Sequence, residues 1–238
     1  MINSELNLTE KQVNSFDRFL ADGTERALSA LDNMFGLDID SSDSSIEIAP
    51  AVDSENLKHL GNGTLYTVSS AMVGELQGKI LVLMRACDFK YLSKAMKPVL
   101  SLLFWTGTDA DLTPLDSQEQ DWMEDDETDV PEDAEYHKQM MDTLGEMANI
   151  FIGLYAKAIY KICHLNTHYS VPFAMKDTSQ QIVQQVVWAP EVSNRMHLVI
   201  QNEFFVMDKP IKLWCLISPT QKSFREILKR IEHREEYH

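Results

Sequence analysis

The sequence predicts an α+β fold: two pseudo-repeated halves forming one mainly antiparallel sheet, with two long helices packed on it. Two observations carry that expectation. The order helix, three or four strands, helix occurs twice in 238 residues, and "GKILVLMRACDFKYLSKAM" matches "PIKLWCLISPTQKSFREIL" in type, apolar strand into polar turn into amphipathic helix. Between the copies, Asp109 to Glu135 holds 13 Asp or Glu and no Lys or Arg, too polar a run to pack. Residues 1–107 are therefore expected as the first half, 108–137 as an acidic linker and 138–238 as the second half. The two halves join most simply as one folded unit around a continuous sheet.

The first helix opens at Thr9, an N-cap followed by Gln12 in capping-box spacing, and Gly36 suits its stop. Leu8, Val13, Phe16, Phe19, Leu20, Ala27, Leu31 and Phe35 supply its apolar side. "SIEIAPAV", "TLYTVSSAMV" and "GKILVLM" read as strands divided by Asn/Gly or Gly-containing turns. "DFKYLSKAMKPVLSLLF" reads as a helix that Pro98 bends or ends. Beyond the acidic segment, with its Pro114 and Pro131, a long helix is expected from about Tyr136 to His164. Strands at "HYSVPFAM", "QIVQQVVWA", "NRMHLVIQNEFFVM" and "IKLWCLI" follow, then a closing helix at "TQKSFREILKRIEH".

Net charge is −16, yet outside the acidic run the balance is 21 basic against 24 acidic residues, or −3. Clustered Lys and Arg are missing, which argues against nucleic acid as a partner. The N-terminus has no basic-then-apolar signal pattern, and no apolar run approaches the ~20 residues that span a bilayer, so the expected location is cytoplasmic, with no membrane contact. Cys87, Cys163 and Cys215 are few, far apart and set in apolar sequence, as reduced core thiols are. His164 and His168 have a zinc-like spacing, but the helix is expected to end between them, and no metal site is assigned. Nucleotide, serine-hydrolase and Cys-pair redox motifs are lacking.

The long second helix carries an unusual stripe. With residues advancing about 100° each, Asp142 at zero puts Glu146 near 40° and Asn149 near −20°. Leu144, Met147, Phe151, Leu154, Tyr155, Ala158 and Ile162 fall opposite, as a core-facing side. Gly153 lies almost in line with the polar residues. Glycine inside a helix costs ~1 kcal/mol relative to Ala, with no return on a merely solvated face. A gap beside a carboxylate and an amide lets another surface approach closely.

Asp142, Glu146 and Asn149, followed after 22 residues by Pro172, give D-x3-E-x2-N-x22-P. This resembles the signature of the CheC/CheX/FliY family, phosphatases of phosphorylated CheY in bacterial chemotaxis. E-x-x-N alone is weak, since it recurs from Glu191 to Asn194; the full spacing is more specific. Gly153, four residues after Asn149, matches the family habit, and Ala27-Leu28-Ser29-Ala30-Leu31 is similar to the small-residue helix that opens CheC-type repeats. The resemblance covers most of the chain except the first eight residues and the acidic linker. The first half departs from it: no E-x-x-N lies in its opening helix, where Arg18 and Ala21 stand in place of Glu and Asn. One site is expected.

The resemblance implies a phosphatase acting on the aspartyl phosphate of a CheY-like receiver domain, a two-component signalling partner that brings its own Mg²⁺ and Lys. No cofactor or metal of the chain's own is implied. Acyl-phosphate hydrolysis passes through a loose transition state, so placing an in-line water matters more than a strong base. Asn149 would orient that water without adding charge beside the phosphoryl group. Glu146 would take a charge-assisted hydrogen bond from the receiver Lys. Asp142 is assigned to partner binding, although an acid near a helix start also favours the dipole. Gly153 is assigned to clearance for the partner, and Pro172 to backbone shape. The alternative is a non-catalytic scaffold of the same fold that docks a receiver, flagellar or signalling partner. Monomer and homodimer both remain open.

Overall fold

The computed structural model describes residues 8–36, 39–50, 63–103, 134–178, 181 and 196–233. The expected strand at "QIVQQVVWA", apart from Gln181, lies outside the described residues, as does the acidic segment up to residue 133.

Helix α1 (Glu10–Phe35) begins with the reciprocal cap the sequence calls for. The Thr9 hydroxyl accepts from the Gln12 N–H, and the Gln12 side chain accepts from the Thr9 N–H. The helix stops at Gly36 in a left-handed conformation, φ 60°. Strands β1 (Ile39–Pro50), β2 (Thr64–Gly74) and β3 (Gly78–Arg85) follow, then α2 (Ala86–Leu103). Helix α2 continues past Pro98 to Leu103 instead of ending there. Helix α3 (Ala134–Cys163) begins inside the last acidic residues, ahead of the expected start. Next come β4 (Thr167–Tyr169), β5 (Phe173–Thr178), β6 (Met196–Val206), β7 (Lys209–Pro219) and α4 (Gln221–Glu232), the last capped by the Thr220 hydroxyl.

The sheet is antiparallel at every pairing. Its order is β1-β6-β7-β3-β2, with β4 and β5 both on the outer edge of β2. At the centre β3 meets β7, with Leu81 opposite Leu216. The first strand of each half pairs with the other half's hairpin: β1 lies on β6, while β4 and β5 lie on β2. Neither half therefore holds a complete sheet alone. At the rim of the central pair Gly78 is obligatory, because a Cβ there would meet the Ser218 carbonyl oxygen and φ is 155°.

The halves correspond three residues out of step with the match by residue type. Phe89 and Phe224 are each the fourth residue of their helix and each buried, whereas the type match sets Phe89 against Gln221. The reason is strand length: β7 has 11 residues where β3 has 8.

One face of the sheet packs under α1 and α3, joining Phe16, Phe19, Leu31, Val68, Val82, Met147, Phe151, Ile200 and Ile217 in a single core. Side chains alternate along strands, and the opposite face carries Leu65, Leu81, Leu83, Val199, Trp214 and Leu216, all buried too. Two dry faces explain why β3 and β7 read as unbroken apolar runs. Cys163 and Cys215 are core thiols as expected; Cys87 is exposed, because it lies in the first turn of α2 and points off the sheet. His164 follows the end of α3 and His168 lies in β4, so the two do not share a helix. Among the described residues no His, Cys, Asp and Glu converge in threes, and no helix is long and apolar enough to cross a membrane.

Candidate functional site

Helix α3 is fixed on its inner side before anything can be said of its outer one. Leu144, Met147, Ala148, Phe151, Ile152, Tyr155, Ala158, Ile159 and Ile162 are buried, and Leu154 packs half-buried beside them. Its crossing with α1 is close. A Cβ on Gly23 would stand 2.5 Å from the Tyr155 ring, so Gly23 gives that ring its seat. The Tyr155 hydroxyl lies 2.9 Å from Thr24 Oγ1 and donates to Asn202 Oδ1 at 3.1 Å; Thr24 donates to the same oxygen at 2.8 Å. Burial pushes the Tyr155 phenol well above its ordinary range, so it stays a neutral donor. At the edge of the crossing Lys161 of α3 reaches Asp22 of α1 at 2.9 Å, and Arg26 reaches the same carboxylate. These two cations hold Asp22 below the usual carboxylate range. Together these contacts set the rotation of α3 about its own axis.

That rotation presents the stripe to solvent. Asp142, Glu146 and Asn149 are exposed, and Gly153 is part-exposed with nothing within 4 Å of where its Cβ would be. Among the described residues, none of the three polar side chains has a hydrogen-bond or ion-pair partner within the chain. A carboxylate and an amide are thus held on adjacent turns of one helix, facing solvent, with no partner among the described residues.

The expected dipole role of Asp142 falls away. Helix α3 starts at Ala134, so Asp142 stands two turns in, beyond the first-turn reach of that effect. Pro172 lies between β4 and β5, where the ladder along β2 is broken by one extra residue, 170–172 standing against Ser70 and Ala71. The neighbouring Ser170 bridges the break, its N–H on the Ala71 carbonyl and its carbonyl accepting from the Ser70 hydroxyl. Gly145 was not singled out from the sequence. It flanks the ridge, and its absent Cβ also has open space around it. Its signal was there to read: a second mid-helix glycine, about 60° from Asp142.

The duplication gives the ridge a counterpart on α1. Gly36 and His164 both leave their helices left-handed, φ 60° and 52°, and a strand starts three residues after each, at Ile39 and Thr167. Both pairs are 128 residues apart. The same offset carries Asp142, Glu146, Asn149 and Gly153 to Asn14, Arg18, Ala21 and Glu25, all four exposed. The register read from sequence for Arg18 and Ala21 agrees with this placement.

No protein-family model matches the chain, and no curated protein matches it by sequence. Solved structures do match by shape. Thermotoga maritima FliY superimposes with a TM-score of 0.63 at 14% identity, over 96% of this chain and 100% of that one. The FliM middle domain from H. pylori gives 0.55 at 12% identity, over 94% and 99%. A chain of the FliM–SpeE complex from H. pylori gives 0.57 at 13%, over 98% and 100%. The chain therefore has the fold of FliY and of the FliM middle domain.

Proposed function

We propose that this chain, built on the fold of FliY and the FliM middle domain, hydrolyses the aspartyl phosphate of a CheY-like receiver domain docked on the outward ridge of α3. The observation that carries the reading is the unused pair Glu146 and Asn149, exposed on adjacent turns beside the gap at Gly153. The receiver supplies its own Mg²⁺ and Lys. Glu146 accepts the ammonium N–H and fixes the docking register. Asn149, neutral, both accepts from and donates to the water in line with the phosphorus, so no carboxylate repels the phosphoryl oxygens. Asp142 extends the contact, and Gly145 and Gly153 leave room for the visiting surface. The chain itself provides neither nucleophile nor metal. The work is placement, on a helix whose inner face cannot turn without breaking the core.

A second reading is non-catalytic docking. It is supported by the likeness to FliM, whose structures include complexes with SpeE and FliG, and by a first helix that carries Arg18 and Ala21. Receiver lifetime separates the two. Added at a few hundredths of the receiver concentration, a phosphatase shortens the lifetime of the aspartyl phosphate. A pure binder leaves it unchanged or lengthens it, and that outcome would replace the first reading with the second.

A further inference from the structure

We propose that the far end of the α3 ridge, Tyr160 flanked by Lys157 and His164, chooses among receivers: it seats an apolar spot bordered by a carboxylate, on the partner's surface beside its phosphorylated pocket. This rests on the reading of α3 as the docking helix and adds the residues that set which receiver is accepted.

The ridge continues past Gly153. At about 100° per residue Tyr160 falls near 0° from Asp142 and Lys157 near 60°, so both stand on the same outward stripe. Both are exposed, and so is His164 just past the helix end. The Tyr160 ring is 47% exposed, whereas Tyr155, five residues earlier, is buried. His164 braces that ring edge-on, with centroids 5.8 Å apart and planes at 81°. It occupies the left-handed helix exit that Gly36 fills on α1, so an imidazole stands where the equivalent turn has no side chain. An aromatic ring held in place with one side wet is a good interface anchor, because it offers a large area with little freedom left to lose. Lys157 has no ion-pair partner among the described residues, whereas Lys161 is tied to Asp22.

Reach and charge fit one occupant. Tyr160 lies about 16 Å along the helix from Asn149 and about 27 Å from Asp142. A standard interface takes ~800 Å² from each partner, a patch about 30 Å across. A receiver seated over Asn149 therefore covers Tyr160 as well. Along the ridge the charge changes sign, from Asp142 and Glu146 through neutral Asn149 and Gly153 to Lys157. The acidic end meets the receiver Lys, and the aromatic, basic end calls for apolar surface and a carboxylate. Glu146 and Asn149 touch only the Lys and phosphoryl group that make the partner a phosphorylated receiver, so they do not tell one receiver from another. Tyr160 and Lys157 meet surface outside the pocket, where receivers differ.

The test uses the full chain and a panel of purified CheY-like receivers. Phosphate release gives kcat and KM, and calorimetry on the Mg²⁺–beryllofluoride forms gives Kd. Wild type should favour one receiver. Tyr160→Ala should raise KM and Kd for that receiver at least about tenfold, the loss typical of an aromatic anchor, while kcat stays within about twofold. Its affinity should then match that for the other receivers. Tyr160→Phe should keep the preference, because the ring and not the hydroxyl does the seating. Lys157→Glu should weaken binding about threefold at low ionic strength and less at high. Unchanged KM and Kd in Tyr160→Ala overturn this proposal while the α3 reading stands, and so does a fall in kcat alone. Equal binding of every receiver by wild type overturns it too, as does unchanged or tighter binding by Lys157→Glu. If wild type neither binds nor discharges any receiver, the α3 reading falls and this one with it.

Discussion

Helices α1 and α3 are two versions of one part, and they differ where folding does not dictate the residue. Their inner faces are equally dry: Phe16, Phe19, Ala27 and Leu31 on one, Met147, Phe151, Tyr155 and Ala158 on the other. Both end in the same left-handed turn. Outward, α3 shows Asp142, Glu146, Asn149 and Gly153, while α1 shows Asn14, Arg18, Ala21 and Glu25. Packing can explain the shared pattern but not the contrast, because exposed substitutions away from special features change stability by only ~0.5 kcal/mol either way. Stability therefore does not dictate the contrast, and the proposed function assigns it to what touches the helix from outside.

The strongest way to break it is to paint α1 onto α3. Glu146→Arg/Asn149→Ala/Gly153→Glu should lose receiver-phosphatase stimulation by ~10²–10³ or more, the loss typical of one transition-state hydrogen-bonding group, with a thermal unfolding curve close to wild type. Retained activity would mean that the ridge is ordinary wet surface. The glycines give the next largest effect, in opposite directions. Gly23→Ala should destabilise by about 1–3 kcal/mol in denaturant titration, since its Cβ would sit 2.5 Å from the Tyr155 ring. Tyr155→Phe should cost about 0.5–1.5 kcal/mol by removing the hydroxyl shared with Thr24 and Asn202. Gly153→Ala should instead stabilise, by up to ~1 kcal/mol, because nothing lies near its Cβ, while it weakens receiver docking. Destabilisation at Gly153 would mean that its gap serves the fold and not a visitor.

The smallest expected effect is at Asp22, where the two helices are tied at the surface. Its folded pKa is lowered, first by the hydrogen bond from Lys161, so its contribution is present above the usual carboxylate range. That contribution disappears as pH falls through the lowered folded value. With Asp22 about a third exposed, screening keeps the effect to a few tenths of a kcal/mol. Asp22→Asn should flatten the acid limb of the stability curve by that amount and leave turnover unchanged.

What was legible in the sequence was local or periodic. The Thr9–Gln12 cap, the apolar runs that became β2, β3, β6 and β7, and the split of α3 into core and polar sides all follow from spacing along one element. The ridge was legible because a mid-helix glycine on the polar side stands in line with an acid and an amide. Long-range choices were not. The exchange of β1 onto β6 and of β4 and β5 onto β2 joins residues more than 90 positions apart, which no periodicity encodes. The three-residue slip between the halves depends on the extra length of β7. Of the two outcomes expected of Pro98, a bend or an end to α2, the end does not occur, since the helix runs on to Leu103. Cys87 sits in an apolar stretch but on the wrong side of its helix for the core. Gly23 shows its purpose only once the Tyr155 ring lies against it.

The most direct test of the central claim is phosphate release from a phosphorylated CheY-like receiver, with wild type and Asn149→Ala each added at a few hundredths of the receiver concentration. Wild type should discharge many receivers per molecule. Asn149→Ala should bind the beryllofluoride-activated receiver about as tightly and yet release phosphate ~10²–10³ more slowly. Equal release rates for the two proteins would contradict the assignment of Asn149 to the water.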